Sequence, residues 1–321
     1  MKSRSVSLTG ATGFVGWHIA EALRDAGWQV RAIVRPGSAR PLPEGVESVS
    51  APLSAQALVP ALADSALIVH CAGVIRARDA AAFAAVNIDG TRAVVGAANV
   101  TGSRVLLISS LAAAGTGTVA RPRTEDDPPA PVNAYGRSKL AGEEVVRVEA
   151  RVPWTIIRPC AVYGARDRGF LPLFRLAQRG LFVLPIRPST PFTLIDVRDL
   201  AQAVSLAAAS DRVSGQTLFV GQPRPETTEE ILRTLAATFA RVYRPRQVPR
   251  AAVRAMAAFG DLAWRLGFQF MFDSGRLAEF DAEGFVCAVS RADELLEFSA
   301  PTSMSEGFER TARWYERAGW I

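Results

Sequence analysis

The chain has almost no lysine. Of its 37 basic residues, 35 are arginine, and the two lysines are Lys2 and Lys139. Arginine does not replace lysine where the chemistry needs a compact ammonium group on a flexible stem. Lys139 is the one lysine away from the chain terminus, and it follows Tyr135 by four residues. It is therefore a candidate functional residue. The alternative is a solvated lysine on a helix surface.

Cysteine and histidine are also scarce. Cys71, Cys160 and Cys287 lie far apart and form no Cys-x-x-Cys motif, so the sequence predicts neither a disulfide framework nor a zinc site. His18 and His70 are the only histidines. Because histidine is the commonest neutral metal ligand, we predict that the protein holds no metal.

Long runs of one residue class are missing. There is no apolar run of about 18 residues, the length that would predict a membrane-spanning helix. The formal net charge is +6, but the arginines are spread along the chain, so we expect no nucleic-acid partner. Met1-Lys2-Ser3-Arg4 leads at once into an apolar run and leaves no room for a signal peptide. These absences predict a cytoplasmic protein of a size typical for an enzyme.

Short β-rich runs alternate with longer helical patterns in the first half of the chain. This alternation predicts an α/β fold, a Rossmann-type doubly wound parallel sheet. We expect residues 1–165 and 192–222 to form the dinucleotide-binding domain, and 166–191 and 223–321 a smaller, mostly helical substrate-binding lobe. The predicted strands are Ser5–Thr9, Val30–Arg35, Ala66–Cys71, Arg104–Ser109, Trp154–Arg158, Phe192–Ile195 and Gln216–Val220. The predicted helices are Phe14–Ala26, Ala80–Asn99, Ala134–Ala150, Leu171–Arg179, Arg198–Ala209, Glu226–Val242, Ala251–Leu266 and Ser305–Arg317.

A glycine-rich loop lies between the first predicted strand and the first predicted helix. In this context Gly10 permits a tight turn, Gly13 lets the backbone approach a pyrophosphate, and Gly16 lets the helix pack closely. The free N–H groups at the start of the helix attract phosphate. The predicted cofactor-binding residues of this loop are Gly10, Thr12, Gly13, Phe14, Val15 and Gly16.

The end of the second strand indicates which nicotinamide cofactor is bound. An acidic residue there binds the ribose 2′-hydroxyl of NAD(H), and an arginine accommodates the 2′-phosphate of NADP(H). Arg35 follows this strand, and no acidic residue occurs between Gln29 and Pro43. The sequence therefore favours NADP(H), with NAD(H) as the alternative, because arginine is abundant throughout the chain.

Tyr135 and Lys139 form the predicted catalytic pair. Residues i and i+4 share one face of a helix, and a neighbouring ammonium favours the phenolate form of a tyrosine. Such a phenol can exchange a proton with a carbonyl or hydroxyl group while hydride moves to or from the nicotinamide. Ser110 ends a buried strand, where its hydroxyl would polarise the substrate oxygen. By itself, Ser110 would be interpreted as a turn residue.

Five motifs together resemble the extended, epimerase-like branch of the short-chain dehydrogenase/reductase superfamily, also called the NAD(P)-dependent epimerase/dehydratase family. They are Thr9-Gly10-x-x-Gly13-x-x-Gly16, Val86-Asn87-x-x-Gly90-Thr91, Ser109-Ser110, Tyr135-x-x-x-Lys139 and Arg158-Pro159-x-x-Val162-Tyr163-Gly164. Within that branch the chain is similar to 3β-hydroxysteroid dehydrogenases, dihydroflavonol reductases and hopanoid-associated epimerase-like proteins.

The resemblance implies further roles. Asn87 would hold the helix geometry or a water near Lys139. The residues expected to line the cofactor are Leu53, Cys71, Ala72, Gly73, Tyr135, Lys139, Pro159 and Val162. The resemblance also implies a homodimer, formed through the helix that bears Tyr135 and its neighbour.

The sequence departs from the family pattern at three places. An Asp-Leu pair usual after the third strand is Pro52-Leu53 here, so the side-chain contact to adenine is lost or replaced by backbone. Phe192-Thr193 stands where nucleotide-sugar members often carry Arg-Asp, which disfavours a diphosphate-sugar substrate. Leu111-Ala112 follows Ser110, so the acidic residues of sugar dehydratases are missing.

The predicted function is an NADPH-preferring reductase or dehydrogenase that acts on a secondary alcohol or ketone of a small, fairly apolar substrate. The aromatic-rich C-terminal part would supply an apolar pocket, although such side chains more often form core. Two alternatives remain open, a nucleotide-sugar epimerase and a protein that binds NADPH without turnover.

Overall fold

The computed structural model describes residues 4–184, 187–266, 268 and 274–321. Its strands are β1 (Ser5–Thr9), β2 (Gln29–Val34), β3 (Glu47–Ser50), β4 (Leu67–His70), β5 (Arg104–Ile108), β6 (Trp154–Pro159), β7 (Ala161–Tyr163), β8 (Phe182–Leu184), β9 (Pro191–Phe192), β10 (Leu194–Asp196), β11 (Gln216–Val220), β12 (Glu226–Thr227) and β13 (Pro245–Gln247).

The helices of the described ranges flank these strands. They are α1 (Phe14–Asp25), α2 (Ala55–Leu62), α3 (Ala80–Phe83), α4 (Asp89–Thr101), α5 (Leu111–Ala114), α6 (Ala134–Glu149), α7 (Leu171–Gln178), α8 (Val197–Ala209), α9 (Thr228–Thr238), α10 (Arg250–Arg265), α11 (Ser274–Asp281), α12 (Ser290–Leu296) and α13 (Met304–Arg317). A π-helical turn, Ala84–Ile88, joins α3 to α4. No helix in these ranges combines the length and apolarity needed to cross a bilayer.

A seven-stranded parallel sheet forms the centre of the fold, in the order β11-β6-β5-β4-β1-β2-β3. This doubly wound sheet confirms the predicted fold class. The chain moves outward in one direction from β1 and in the other from β4, so the strand order reverses between them. In open α/β sheets ligands bind at the carboxyl ends of the strands beside this switch point.

The two largest of the five apolar clusters among the described residues lie in different parts of the fold. One lies under the sheet, where α1 packs against α8. The other joins α7, α9 and α13 around the buried rings of Tyr163, Phe174 and Phe308. Leu296 and Phe298, from the predicted substrate lobe, pack into the first cluster. The division into two domains stays a prediction.

Some elements differ from the sequence-based expectations. The single predicted helix Ala80–Asn99 is divided by the π-helical turn, and Phe192–Ile195 is divided between β9 and β10, which pair with different strands. The sequence pattern did not reveal β3 and α2. β3 is short and largely exposed, so it lacks the apolar pattern that marks a buried strand.

Two cysteines distant in sequence meet in the fold. The Sγ atoms of Cys160 and Cys287 lie 3.1 Å apart, and both residues are free thiols. Burial raises the pKa of the Cys160 thiol well above its ordinary value. The described residues contain no cluster of three or more His, Cys, Asp or Glu side chains that could hold a metal ion.

Candidate active site

The glycine loop after β1 forms a tight turn whose geometry needs glycine at two positions. Gly10 has a φ of +80°, and a Cβ there would lie 2.7 Å from the backbone nitrogen of Ala72. A Cβ on Gly16 would lie 2.1 Å from the carbonyl oxygen of Gly10. A larger residue at position 10 would collide with the backbone after β4, and one at position 16 would collide with the backbone of the turn itself.

The start of α1 fits an anionic dinucleotide. Gly13 is the N-cap residue and supplies no side-chain hydrogen bond, and the first turn carries no acidic residue. The first N–H groups of a helix have no partner within the helix, so they and the helix dipole can bind a diphosphate. Thr12, Phe14 and Val15 are half-buried beside this turn.

The predicted adenosine-side residues lie at the ends of the next two strands. Arg35 directly follows β2 and is exposed. Arg31, within β2, lies 3.6 Å from Glu47, measured between the guanidinium Nε and a carboxylate oxygen. Leu53 follows β3, and its Cδ1 lies 3.3 Å from where a Cβ of Gly90 would be. Leu53 therefore contacts α4 with its side chain.

A buried set of hydrogen bonds around His70 fixes the end of β4. The Nδ1 of His70 lies 2.7 Å from the hydroxyl of Thr9, and its Nε2 lies 3.2 Å from the hydroxyl of Thr91. The Thr9 hydroxyl also accepts a hydrogen bond from the N–H of Ala72. Burial, together with the positive charge of Lys139, lowers the pKa of His70 to about 3. A neutral His70 therefore holds the segment Cys71–Gly73 beside the glycine loop.

The predicted catalytic pair lies on α6. The Asn133 side chain caps this helix by accepting a hydrogen bond from the N–H of Gly136. Tyr135 is half-buried, and its ring lies 6.4 Å from that of Phe83 between centroids. Lys139 is buried and its Nζ donates a 2.7 Å hydrogen bond to the carbonyl oxygen of Ile108. Burial lowers the pKa of this ammonium, an effect that nearby Cys71 and Glu143 oppose.

Asn87 positions two segments next to the catalytic pair. Its side-chain amide exchanges two 2.9 Å hydrogen bonds with the backbone of Val74 and donates a third to the hydroxyl of Ser138. Ser138 in turn donates to the carbonyl oxygen of Tyr135. Asn87 thus ties the loop after β4 to the helix turn between Tyr135 and Lys139. The π-helical turn that divided the predicted helix carries this residue.

Ser110 lies between β5 and α5 and is the N-cap residue of α5. Its hydroxyl accepts a hydrogen bond from the N–H of Ala112 and caps α5. A Cβ on Gly136 would lie 2.3 Å from the carbonyl oxygen of Ala112, so α5 packs directly on the first turn of α6. A serine hydroxyl that accepts one hydrogen bond still has its own proton to donate. The contact between Ser110 and substrate remains a prediction.

A buried charge network below Lys139 was missed by the sequence reasoning. Arg158 makes two hydrogen bonds, of 2.9 and 2.7 Å, to the carboxylate of Glu143, which also accepts one from the Ser109 hydroxyl and one from Arg147. Burial alone would raise the pKa of Glu143, but these donors lower it overall. The network connects α6 to β5 and β6. Its signal in the sequence was a carboxylate four residues after Lys139 and eight after Tyr135.

The remaining candidate residues of the site lie on β6, on β7 and in the C-terminal part of the chain. Pro159 ends β6 beside Val220, and Val162 pairs with Ile195. Their contact with a nicotinamide ring remains a prediction. The rings of Phe192 and Phe285 are nearly parallel, at 8°, with centroids 6.3 Å apart.

Comparison with known proteins decides the family. The model of the NAD dependent epimerase/dehydratase family matches residues 6–221. The chain belongs to this family. The predicted membership is therefore confirmed, and the protein is an NAD(P)-dependent enzyme of the extended short-chain dehydrogenase/reductase type. NADP preference and the roles of the individual site residues remain predictions.

Relatives in the family differ in the reactions that their names describe. A ceramide reductase of Caulobacter vibrioides is 33% identical, over 98% of this chain and 96% of its own. A UDP-glucose 4-epimerase of Vibrio cholerae is 26% identical over the same shares of the two chains. The solved structure of MoeE5 in complex with UDP-glucuronic acid and NAD has a TM-score of 0.77 at 23% identity, covering 98% of this chain and 99% of that one. This last likeness supports the fold.

Proposed function

We propose that this enzyme is an NADPH-preferring reductase that converts a ketone of an apolar, lipid-like molecule into a secondary alcohol. The observation that carries the proposal is the buried Lys139 ammonium one helical turn from Tyr135, at the carboxyl edge of the sheet. A charge placed there supports proton transfer beside a nicotinamide held above the glycine loop.

The proposed reaction needs one hydride and one proton. When bound, the reduced nicotinamide supplies the hydride to the carbonyl carbon. Tyr135 gives its phenolic proton to the carbonyl oxygen, and Lys139 stabilises the resulting phenolate by its charge. Ser110 donates a hydrogen bond to the same oxygen as negative charge develops on it. The reverse reaction oxidises the alcohol by the same contacts.

The preference for NADPH rests on Arg35. This exposed guanidinium follows β2, next to β1 and its glycine loop in the sheet, where the 2′-phosphate of an NADP molecule would lie. A planar guanidinium suits phosphate recognition through paired hydrogen bonds.

The class of substrate is inferred from two observations. The ceramide reductase relative shares 33% identity over nearly the whole chain, and Phe192 stacks on Phe285 where a nucleotide-sugar enzyme would often carry charged residues. A long-chain ketone with an N-acylated amino group on the neighbouring carbon, the ketone form of a ceramide, fits both. The second candidate is a nucleotide-sugar epimerase, which the Vibrio cholerae relative favours.

A homodimer through α4 and α6 is part of the proposal. These helices pack side by side, and the exposed pair of Arg92 and Glu149 links them. Native mass spectrometry is expected to show two chains, and a strictly monomeric protein would contradict this inference.

Turnover of matched substrates tests the proposal. Purified protein is incubated with NADPH and a 3-oxo ceramide in detergent, or with NAD and UDP-glucose, and products are identified by mass spectrometry. We expect the corresponding 3-hydroxy ceramide in the first reaction, no epimer in the second, and ketone reduction slowed by about a hundredfold or more in Tyr135→Phe. Epimer formation without ketone reduction would establish the second candidate. Absence of turnover, with NADPH bound, would favour a non-catalytic binding protein.

A further inference from the structure

Helix α10 and the residues directly after it carry exposed apolar side chains. They recur every three or four residues, which places the helical members within about a third of the helix circumference. This apolar stripe consists of Met256, Phe259, Leu262, Leu266 and Phe268, with exposed fractions from 38% to 69%. The helix faces the protein with a different side, on which Val253 and Ala257 are buried.

The stretch of sequence that contains this stripe carries a net positive charge. Between residues 241 and 266 the sequence has six arginines and one aspartate, a formal charge of +5 out of the +6 of the whole chain. Arg244, Arg246 and Arg254 are exposed, as is Arg250, which pairs with Asp281. The arginines are spread along the chain, but the acidic residues that balance them elsewhere are nearly missing here.

The stripe is connected to the active site through one helix. α10 packs against α11, and Glu279 of α11 accepts a 2.7 Å hydrogen bond from the Asn133 side chain. Asn133 caps α6 two residues before Tyr135. A surface bound to α10 would therefore be connected to the helix of Tyr135 through α11.

We propose that α10 docks on the surface of an anionic phospholipid bilayer. An interfacial helix has a large apolar face for the acyl boundary and arginines for the lipid headgroups, and α10 with its preceding segment has both. A nucleic acid would use the arginines and leave the apolar stripe in water. A second copy of the chain would bring two segments of like charge together. The proposal does not depend on the reductase activity.

Vesicle flotation tests the docking in the absence of cofactor and ketone. The full chain is mixed with phosphatidylcholine vesicles, with or without about one third phosphatidylglycerol. We expect binding to the anionic vesicles and a loss of it when salt rises from about 0.1 M to about 0.5 M. The double variant Leu262→Glu/Leu266→Glu is expected to weaken binding by about tenfold or more. Arg246→Gln/Arg254→Gln is expected to weaken it mainly at low salt.

Val119→Glu is the matched control, since Val119 is an exposed apolar residue outside the stripe, and it should bind as the wild type does. Circular dichroism and melting temperature show that each variant is folded. Wild-type protein that fails to float with anionic vesicles overturns the proposal, and so does unchanged binding of Leu262→Glu/Leu266→Glu. If the protein does not bind vesicles, two results would identify what covers the stripe instead. A dimer that Leu262→Glu/Leu266→Glu dissociates would indicate a second copy of the chain, and binding to duplex DNA would indicate a nucleic acid.

Discussion

The Nζ of Lys139 donates a 2.7 Å hydrogen bond to the carbonyl oxygen of Ile108, the last residue of β5. This contact holds the ammonium at the carboxyl edge of the sheet, in a buried position. A guanidinium is larger and planar, so we expect that it does not place its charge where the ammonium lies.

We therefore expect Lys139→Arg to lose activity although arginine serves nearly everywhere else in the chain. The predicted fall in kcat is about a hundredfold or more, as for loss of a proton-transfer partner. Steady-state ketone reduction measures it, and Arg137→Lys, at an exposed position of the same helix, should remain active. A fully active Lys139→Arg enzyme would show that the compact ammonium is not needed.

The buried carboxylate of Glu143 is expected to control stability more than chemistry. Glu143→Gln leaves the buried guanidinium of Arg158 without its counter-charge, so the free energy of unfolding should fall by about 3 kcal/mol or more. Replacing both residues with methionine should recover a large part of that loss, because neither charge of the buried pair is then left without its partner. Urea denaturation measures both variants.

The exposed pair of Arg233 and Glu229 provides the comparison for this network. Glu229→Gln should change the free energy of unfolding by about 0.5 kcal/mol or less, because exposed ion pairs contribute little. Equal losses at Glu143 and Glu229 would mean that the buried network does not stabilise the fold.

The pattern of successes and misses at the site has a physical cause. Local spacing in the sequence was enough to predict two pairs of site residues. Gly10 and Gly16 belong to one turn, and Tyr135 and Lys139 belong to one face of a helix. The hydrogen bonds of Asn87 to Val74 and Ser138 depend on how three separate segments meet. A single sequence does not show which residues of separate segments come into contact.

The wider fold shows the same limit. The alternation of strands and helices predicted the parallel sheet, but not the 3.1 Å approach of Cys160 to Cys287 across 127 residues of sequence. Nor does apolar periodicity within α10 distinguish a buried face from an exposed one, because both use the same residue types.

Acid should destabilise the protein through His70. Its pKa falls from the ordinary 6.5 to about 3 in the folded state, so between these values the unfolded chain binds a proton that the folded chain does not. Stability therefore falls as pH drops through and below 6.5, by about 2 kcal/mol between about pH 7.5 and pH 5. Urea midpoints across this range are compared for wild type and His70→Gln. The expected steeper slope belongs to wild type, and parallel slopes would refute this role for His70.

Cofactor preference should change at Arg35. Arg35→Asp removes the phosphate partner and supplies an acceptor for a ribose hydroxyl. We expect kcat/KM for NADPH to fall by about tenfold or more, and that for NADH to rise or stay constant. Arg31→Gln is the control, because Arg31 lies within β2 and is placed near Glu47. A wild-type enzyme that prefers NADH would contradict the proposal directly.

Deuteride transfer in a single turnover tests the central claim most directly. Enzyme in excess is mixed with a 3-oxo ceramide and NADPH deuterated at the transferable position of the nicotinamide, and the product is analysed by mass spectrometry. We predict one deuterium on the carbinol carbon for wild type, and for Tyr135→Phe bound cofactor with transfer slowed by about a hundredfold or more. Equally fast transfer in Tyr135→Phe, or an alcohol without deuterium, would contradict hydride transfer assisted by Tyr135 and Lys139.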